Sequence, residues 1–255
     1  MANPTKKRIF YFDELRALAI LMVVLCHTCV KYKPFVFESF KLAIPGSLYV
    51  LTHIAVPIFF MLSGALLLNR TYSLGDFFKK RFSRLLYPFI FWVIVAVFVS
   101  LFVLHNSFVD VSNILTGTDR WTWFVWVMIG VYLILPVINS FIKEYQLQGA
   151  KYFLVIWFVT IVLGTFNKFP FYNLELSYFA RFIGYTVLGY YLANADFRLS
   201  DLKMAILGFV MFVVFIAIDI GLVAFDVSSV ETKYLSMFVV LSAVGFFLMF
   251  RYFVN

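Results

Sequence analysis

Asp13, Arg16 and His27 are the residues near the N-terminus whose types and spacing could do chemistry. Arg16 and His27 stand eleven positions apart in an otherwise apolar stretch. On an α-helix eleven residues make about three turns plus roughly 20°. The two side chains then share one face, separated by roughly 16 Å at about 1.5 Å per residue. Asp13, three positions before Arg16, can pair with it. Histidine titrates near neutral pH and is the natural general base. An ionisable side chain in a membrane helix is costly and marks a functional candidate. The bland alternative is a histidine that only hydrogen-bonds a neighbouring helix.

A second basic group is Lys79-Lys80-Arg81-Phe82-Ser83-Arg84, followed by Tyr87-Pro88. Arg81 and Arg84 are three apart and share a helix face, and arginine forks suit phosphate. The competing reading is a basic collar that fixes topology or meets anionic lipid, and it suits Lys79 and Lys80 best. Lys80 is kept as a subsidiary phosphate ligand. Pro57 and Ser63-Gly64 form a third group. A proline in a membrane helix frees a backbone carbonyl, and small residues let a helix or ligand approach closely. His53, one turn before Pro57, is a secondary candidate for the cavity of His27. Trp123, Tyr132, Tyr185, Gly189 and Tyr190 read first as interfacial or packing residues. Cys26 and Cys29 flank His27, but three positions along a helix is poor disulfide geometry, and no further ligand suggests a metal. They read as small packing residues.

The elements that must position these groups are membrane helices. The 255 residues are 64% hydrophobic, 21% aromatic and 13% charged, against about 25% charged in soluble domains. A mean hydropathy of +0.95 makes this an all-α, polytopic helix bundle. At about 20 apolar residues per span, eight spans are predicted: 14–32, 47–69, 84–104, 122–142, 150–167, 177–194, 202–225 and 234–254. No polar stretch is long enough to form a soluble domain, so residues 1–255 read as one integral-membrane domain. The net charge of +8 is better explained by basic cytoplasmic loops than by nucleic acid. With the N-terminus cytoplasmic, about 14 Lys and Arg fall inside and 7 outside. Arg16 is then cytoplasmic, and His27 lies towards the outer side.

In series, these motifs resemble the acyltransferase-3 family of multi-pass membrane acyltransferases. The residues that carry the resemblance are Asp13-x-x-Arg16 with the ten-residue spacing to His27, Phe59-Phe60-Met61-Leu62-Ser63-Gly64, and Arg81-x-x-Arg84 with Tyr87-Pro88. Trp123-Phe124 with Tyr132 and Pro136, and Gly184-Tyr185 with Gly189-Tyr190, add weaker matches. The resemblance implies transfer of an acyl group, acetyl or succinyl, from cytoplasmic acyl-CoA to a sugar hydroxyl on a surface polysaccharide or glycolipid. It implies His27 as the catalytic histidine, Arg16 as the first-helix arginine, and Arg81 and Arg84 as the paired arginines. It also implies a core of about ten helices, of which this chain supplies about eight.

The physical reading fits that chemistry. Arg81, Arg84 and Lys80 can hold CoA phosphates, and the thioester arm can reach inward to His27. Ser63, Tyr132 or a backbone amide near Pro57 could stabilise the oxyanion, and an acyl-histidine intermediate is a variant. The expected co-substrate is acetyl-CoA, with no metal. The expected partners are membrane lipid and a sugar acceptor, with a second copy of the chain left open. A polysaccharide or lipid-linked sugar flippase is the alternative function, although the chain lacks an inverted repeat or a matched pair of broken helices. A non-catalytic scaffold would make the Arg16, His27 and Arg81–Arg84 spacings coincidental. Specificity is expected in residues 31–47, 105–120 and 167–177.

Overall fold

A computed structural model describes residues 9–29, 40–103, 108–116, 122–166, 181–225 and 234–254. The expected specificity segments fall largely outside these residues, as do Lys6, Lys7, Arg8 and Trp121. Every described element is helical: α1 (Phe10–Cys29), α2 (Phe40–Leu51), a 3-10 turn (Thr52–Ile54), α3 (Ala55–Leu67), α4 (Leu74–Phe102), α5 (Phe108–Thr116), α6 (Trp123–Thr165), α7 (Ile183–Asn194), α8 (Asp201–Ala224) and α9 (Met237–Phe253). Among the described residues, four helical stretches are long and apolar enough to cross a membrane: Gly46–Leu67, Leu74–Phe102, Trp123–Thr165 and Asp201–Ala224. The polytopic helix-bundle expectation holds.

Several boundaries differ from those predicted, each for a local reason. The span expected over 47–69 runs as Gly46–Leu67 and tightens to a 3-10 turn at Thr52–Ile54, just before Pro57, which cannot donate a backbone hydrogen bond. Helix α4 starts at Leu74 rather than 84. Ser73 caps it, accepting from the Asp76 N–H at 3.1 Å while its hydroxyl donates to the Asp76 carboxylate at 2.7 Å. The basic cluster Lys79–Arg84 therefore lies within the helix rather than at its entrance. The spans expected at 122–142 and 150–167 are both helical and are parted at Gln146, whose φ 51° and ψ −136° are not those of a helix. The short helix α5 falls where an outer loop was expected.

Two compact units divide the chain: residues 1–67 with 145–255, and residues 68–144. In the first unit α3 packs on α7, α8 pairs with α9, and α1 rests on α2, α3 and α9. Lipid tails are as apolar as leucine, so close packing rather than the hydrophobic effect drives helix association in a bilayer, and small residues permit it. Gly208 and Gly245 do this in the α8–α9 pair: a methyl on either would stand 2.7 or 2.6 Å from the other's carbonyl oxygen. Tyr11 meets Phe247 edge-on at 6.0 Å, which joins the start of α1 to α9.

In the second unit, Phe77 and Phe82 of α4 present edges to Tyr132 of α6 at 6.3 and 6.4 Å. Asn139 grips the turn before α4 from both sides of one peptide unit. Its amide donates to the Arg70 carbonyl at 2.9 Å and its oxygen accepts from the Arg70 N–H at 3.2 Å. The middle of α4, including Ile90, Phe91, Trp92, Ile94 and Phe98, is exposed, as suits a lipid-facing surface.

Candidate active site

Helix α1 is two-sided. Leu15, Ala19 and Cys29 are buried, and Cys26 is half-buried on the same stripe. Arg16, Ile20, Val24 and His27 form the exposed stripe. The i, i+4, i+8, i+11 spacing places both ionisable groups on it, as the sequence predicted. Arg16 Nη1 lies 3.5 Å from Asp13 Oδ1. His27 occupies the last turn of α1, where its imidazole is open to a reactant.

The other first-unit candidates sit differently. His53 lies in the 3-10 turn and is only 5% exposed. Its ring meets Tyr49 at 4.9 Å and Tyr234 at 5.3 Å, both edge-on. Ser63 is half-buried and donates to the Phe59 carbonyl at 2.9 Å. Its neighbour Gly64 takes the approach of α7, since a methyl there would run into the Thr186 carbonyl. Gly64 thus serves helix packing, the plainer of the two roles considered for the pair. Gly189 supplies the facing side of that contact against the Met61 backbone, and Tyr185 and Tyr190 are buried in α7.

In the second unit Arg81 is half-exposed and Arg84 and Lys80 are exposed, all on α4. Arg84 stands at one end of an apolar groove of about 610 Å³ lined by Leu85, Pro88, Phe89, Trp92 and Val125. Burial pushes the Tyr72 phenol above its ordinary range, while the Arg81 guanidinium pulls against that shift. Among the described residues no carboxylate pairs with Arg81 or Arg84, so both guanidinium groups are available to an anion. Tyr132 is half-buried against Phe77 and Phe82, and Trp123 lies edge-on to Phe124 at 6.1 Å.

Two groups escaped the sequence reading. Asp219 is fully buried in α8 and interacts electrostatically with Tyr185. The antiparallel register set by Gly208 against Met249 and Gly245 against Phe212 carries Asp219 to about the first turn of α9. There the positive end of the helix dipole favours a carboxylate. A lone acid near the end of a 24-residue apolar helix was the available signal. The second group is Tyr234, whose ring lies edge-on to His53 at 5.3 Å. Tyr185 donates its hydroxyl to the Tyr234 carbonyl at 2.5 Å. Nothing in the spacing of residues 185 and 234 announced that contact.

Comparison with known proteins adds one match. The family model described as an acyltransferase domain covers residues 9–255. No curated protein matches the chain, and no solved structure does. The matched span takes in α1 with its exposed Arg16–His27 stripe, the α3 glycine contact and the arginines of α4, the same residues on which the sequence resemblance rested. This chain belongs to the acyltransferase-3 family of membrane acyltransferases.

Proposed function

We propose that the protein transfers an acetyl- or succinyl-type group from cytoplasmic acyl-CoA to a sugar hydroxyl of a surface polysaccharide or glycolipid. His27 is the general base. It takes the proton of the acceptor hydroxyl as that oxygen bonds to the thioester carbonyl carbon. The carbon–sulfur bond then breaks, and the imidazolium returns the proton to the CoA thiolate, so the reaction needs no other proton donor. Base catalysis of this kind contributes about 10²–10⁴-fold. Arg81 and Arg84, with Lys80, take the phosphates of the donor, and Arg16, held by Asp13, carries the second cation of the α1 stripe. Ser63 and Tyr132 are the side-chain candidates for the oxyanion, and Ser63 would have to exchange its bond to the Phe59 carbonyl to serve. The protein lies in the cell membrane with its N-terminus cytoplasmic.

The observation that carries this reading is the exposed stripe of α1, which sets an open imidazole and a carboxylate-paired guanidinium on one face of one helix. The test is mass spectrometry of surface glycans from cells with and without the protein. A mass gain of one acetyl or succinyl group per sugar, lost with His27→Ala at unchanged membrane level, is the expected result. Unmodified glycans from cells that carry the folded wild-type chain would overturn it.

A further inference from the structure

Helix α4 carries an apolar groove with a cation at one end. Arg84, Pro88, Trp92, Val95, Ala96 and Val99 line it. Their spacing of three or four residues is that of one helix face. Arg84 and Val99 are fifteen residues apart, about 22 Å at about 1.5 Å per residue. Val125 of α6 stands on the other side. Phe89 meets Trp126 of α6 edge-on at 6.3 Å, which joins the two walls. The volume of about 610 Å³ falls in the range of small-molecule sites, about 300–1,000 Å³.

The lining decides what can lie there. Arg84 is exposed, and among the described residues no carboxylate pairs with it. Beyond it, the one polar side-chain group in the lining is the Trp92 indole N–H. The arm of CoA carries amides, and amides laid along this wall would lose their hydrogen bonds to water without replacement. A hydrocarbon chain has none to lose. In a bilayer, though, lipid tails are as apolar as leucine, so such a chain gains little by entering. Preference for one occupant over bulk lipid must come from Arg84, whose guanidinium fork matches a phosphate.

We propose that this groove is a binding site for an anionic phospholipid, with the headgroup phosphate on Arg84 and one acyl chain along α4 towards Val99. Ala96, the smallest residue of the lining, gives the chain its room. A zwitterionic lipid offers the same chain and phosphate, but its own ammonium competes with Arg84 for that phosphate. Arg84 is shared with the donor phosphates. Arg81, three residues earlier and outside the groove lining, is left to the donor alone. The site does not depend on the acyl-transfer reading of His27.

The test is native mass spectrometry of the full chain in detergent, with phosphatidylglycerol and phosphatidylcholine of the same acyl chains. The wild type is expected to hold phosphatidylglycerol about tenfold more tightly. Arg84→Gln should bring the two lipids within about twofold of each other. Ala96→Trp fills the groove and should weaken both at least about fivefold. Phosphatidylglycerol with a photoreactive diazirine on its acyl chain should cross-link within residues 85–99 or around Val125, a readout that needs no variant to fold. Equal retention of the two lipids by the wild type, or cross-links elsewhere, overturns the site. So does displacement of the lipid by excess inorganic phosphate, which would mean that the anion alone is bound and the groove is unused. His27→Ala should bind lipid as the wild type does. Loss of lipid selectivity leaves acyl transfer standing, and loss of acyl transfer leaves the lipid site standing.

Discussion

Gly64 of α3 lies against the backbone of Thr186 in α7 so closely that a Cβ at position 64 would overlap the Thr186 carbonyl. The obstacle is backbone, so no rotamer change relieves it. Gly189 repeats the arrangement in reverse against the backbone of Met61. The two glycines set the separation of α3 and α7, and with it the placement of the 3-10 turn and His53 that precede α3.

Gly64→Ala is therefore expected to destabilise the protein by about 3 kcal/mol or more through overpacking. Gly130→Ala is the control, because nothing lies within 4 Å of a methyl there. In the interior of α6 it should be neutral or stabilising by up to about 1 kcal/mol. Thermal unfolding of the purified protein in detergent measures both. Equal melting temperatures for the two variants would contradict the close contact.

The two described histidines should part in their effects. His27 is exposed, so His27→Ala is expected to leave the melting temperature unchanged while acyl transfer falls by at least about 10²-fold. His53 is buried between two tyrosine rings. Its replacement by Ala should cost about 2–3 kcal/mol of stability. Parallel activity and unfolding measurements on the two variants decide this, and a stable, inactive His53→Ala would move the base to position 53.

Arg81 and Arg84 are accessible, and neither is paired with a carboxylate among the described residues. Charge-assisted hydrogen bonds contribute about 1.5–3 kcal/mol. Arg81→Gln or Arg84→Gln should thus raise KM for acetyl-CoA about tenfold or more, and Lys80→Gln less. Stability should not change. Raising salt should weaken donor binding to the wild type more than to the variants, because exposed charges are screened. A salt response identical in wild type and variants would remove these arginines from donor binding.

Gln146 holds φ 51° and ψ −136°, a left-handed conformation that costs a residue with a Cβ about 1–3 kcal/mol. Gln146→Gly is expected to raise stability by about 1 kcal/mol. Gln146→Val should lower it, since a β-branched residue tolerates positive φ worst. Chemical or thermal unfolding of both variants checks the sign.

What the sequence made legible follows from the physics of each feature. The α1 stripe was readable because helical periodicity alone decides which residues share a face. The α3–α7 contact was half readable: Ser63-Gly64 announced a close approach, but not whether helix or ligand would make it. The start of α4 was misplaced because hydropathy marks where a chain is apolar, not where it is helical. The Ser73-Leu-Gly-Asp76 cap was the local signal that outweighed it. The break within α6 was legible as the gap between the spans ending at 142 and starting at 150, but its place at Gln146 was not, because Gln146 is neither glycine nor proline. The Tyr185–Tyr234 hydrogen bond was unreadable, since it joins residues 49 positions apart through packing that no local pattern encodes.

The two-sidedness of α1 has an evolutionary consequence. Its inward stripe, Leu15, Ala19, Cys26 and Cys29, answers to the fold, and its outward stripe, Arg16, Ile20, Val24 and His27, answers to whatever meets it. Replacements on the outward stripe can be tried without risking assembly. In a saturation screen that scores abundance and activity separately, the two stripes should sort cleanly, inward positions by loss of protein and outward ionisable positions by loss of turnover alone. A helix divided in this way lets selection retune its chemistry while its architecture stays fixed.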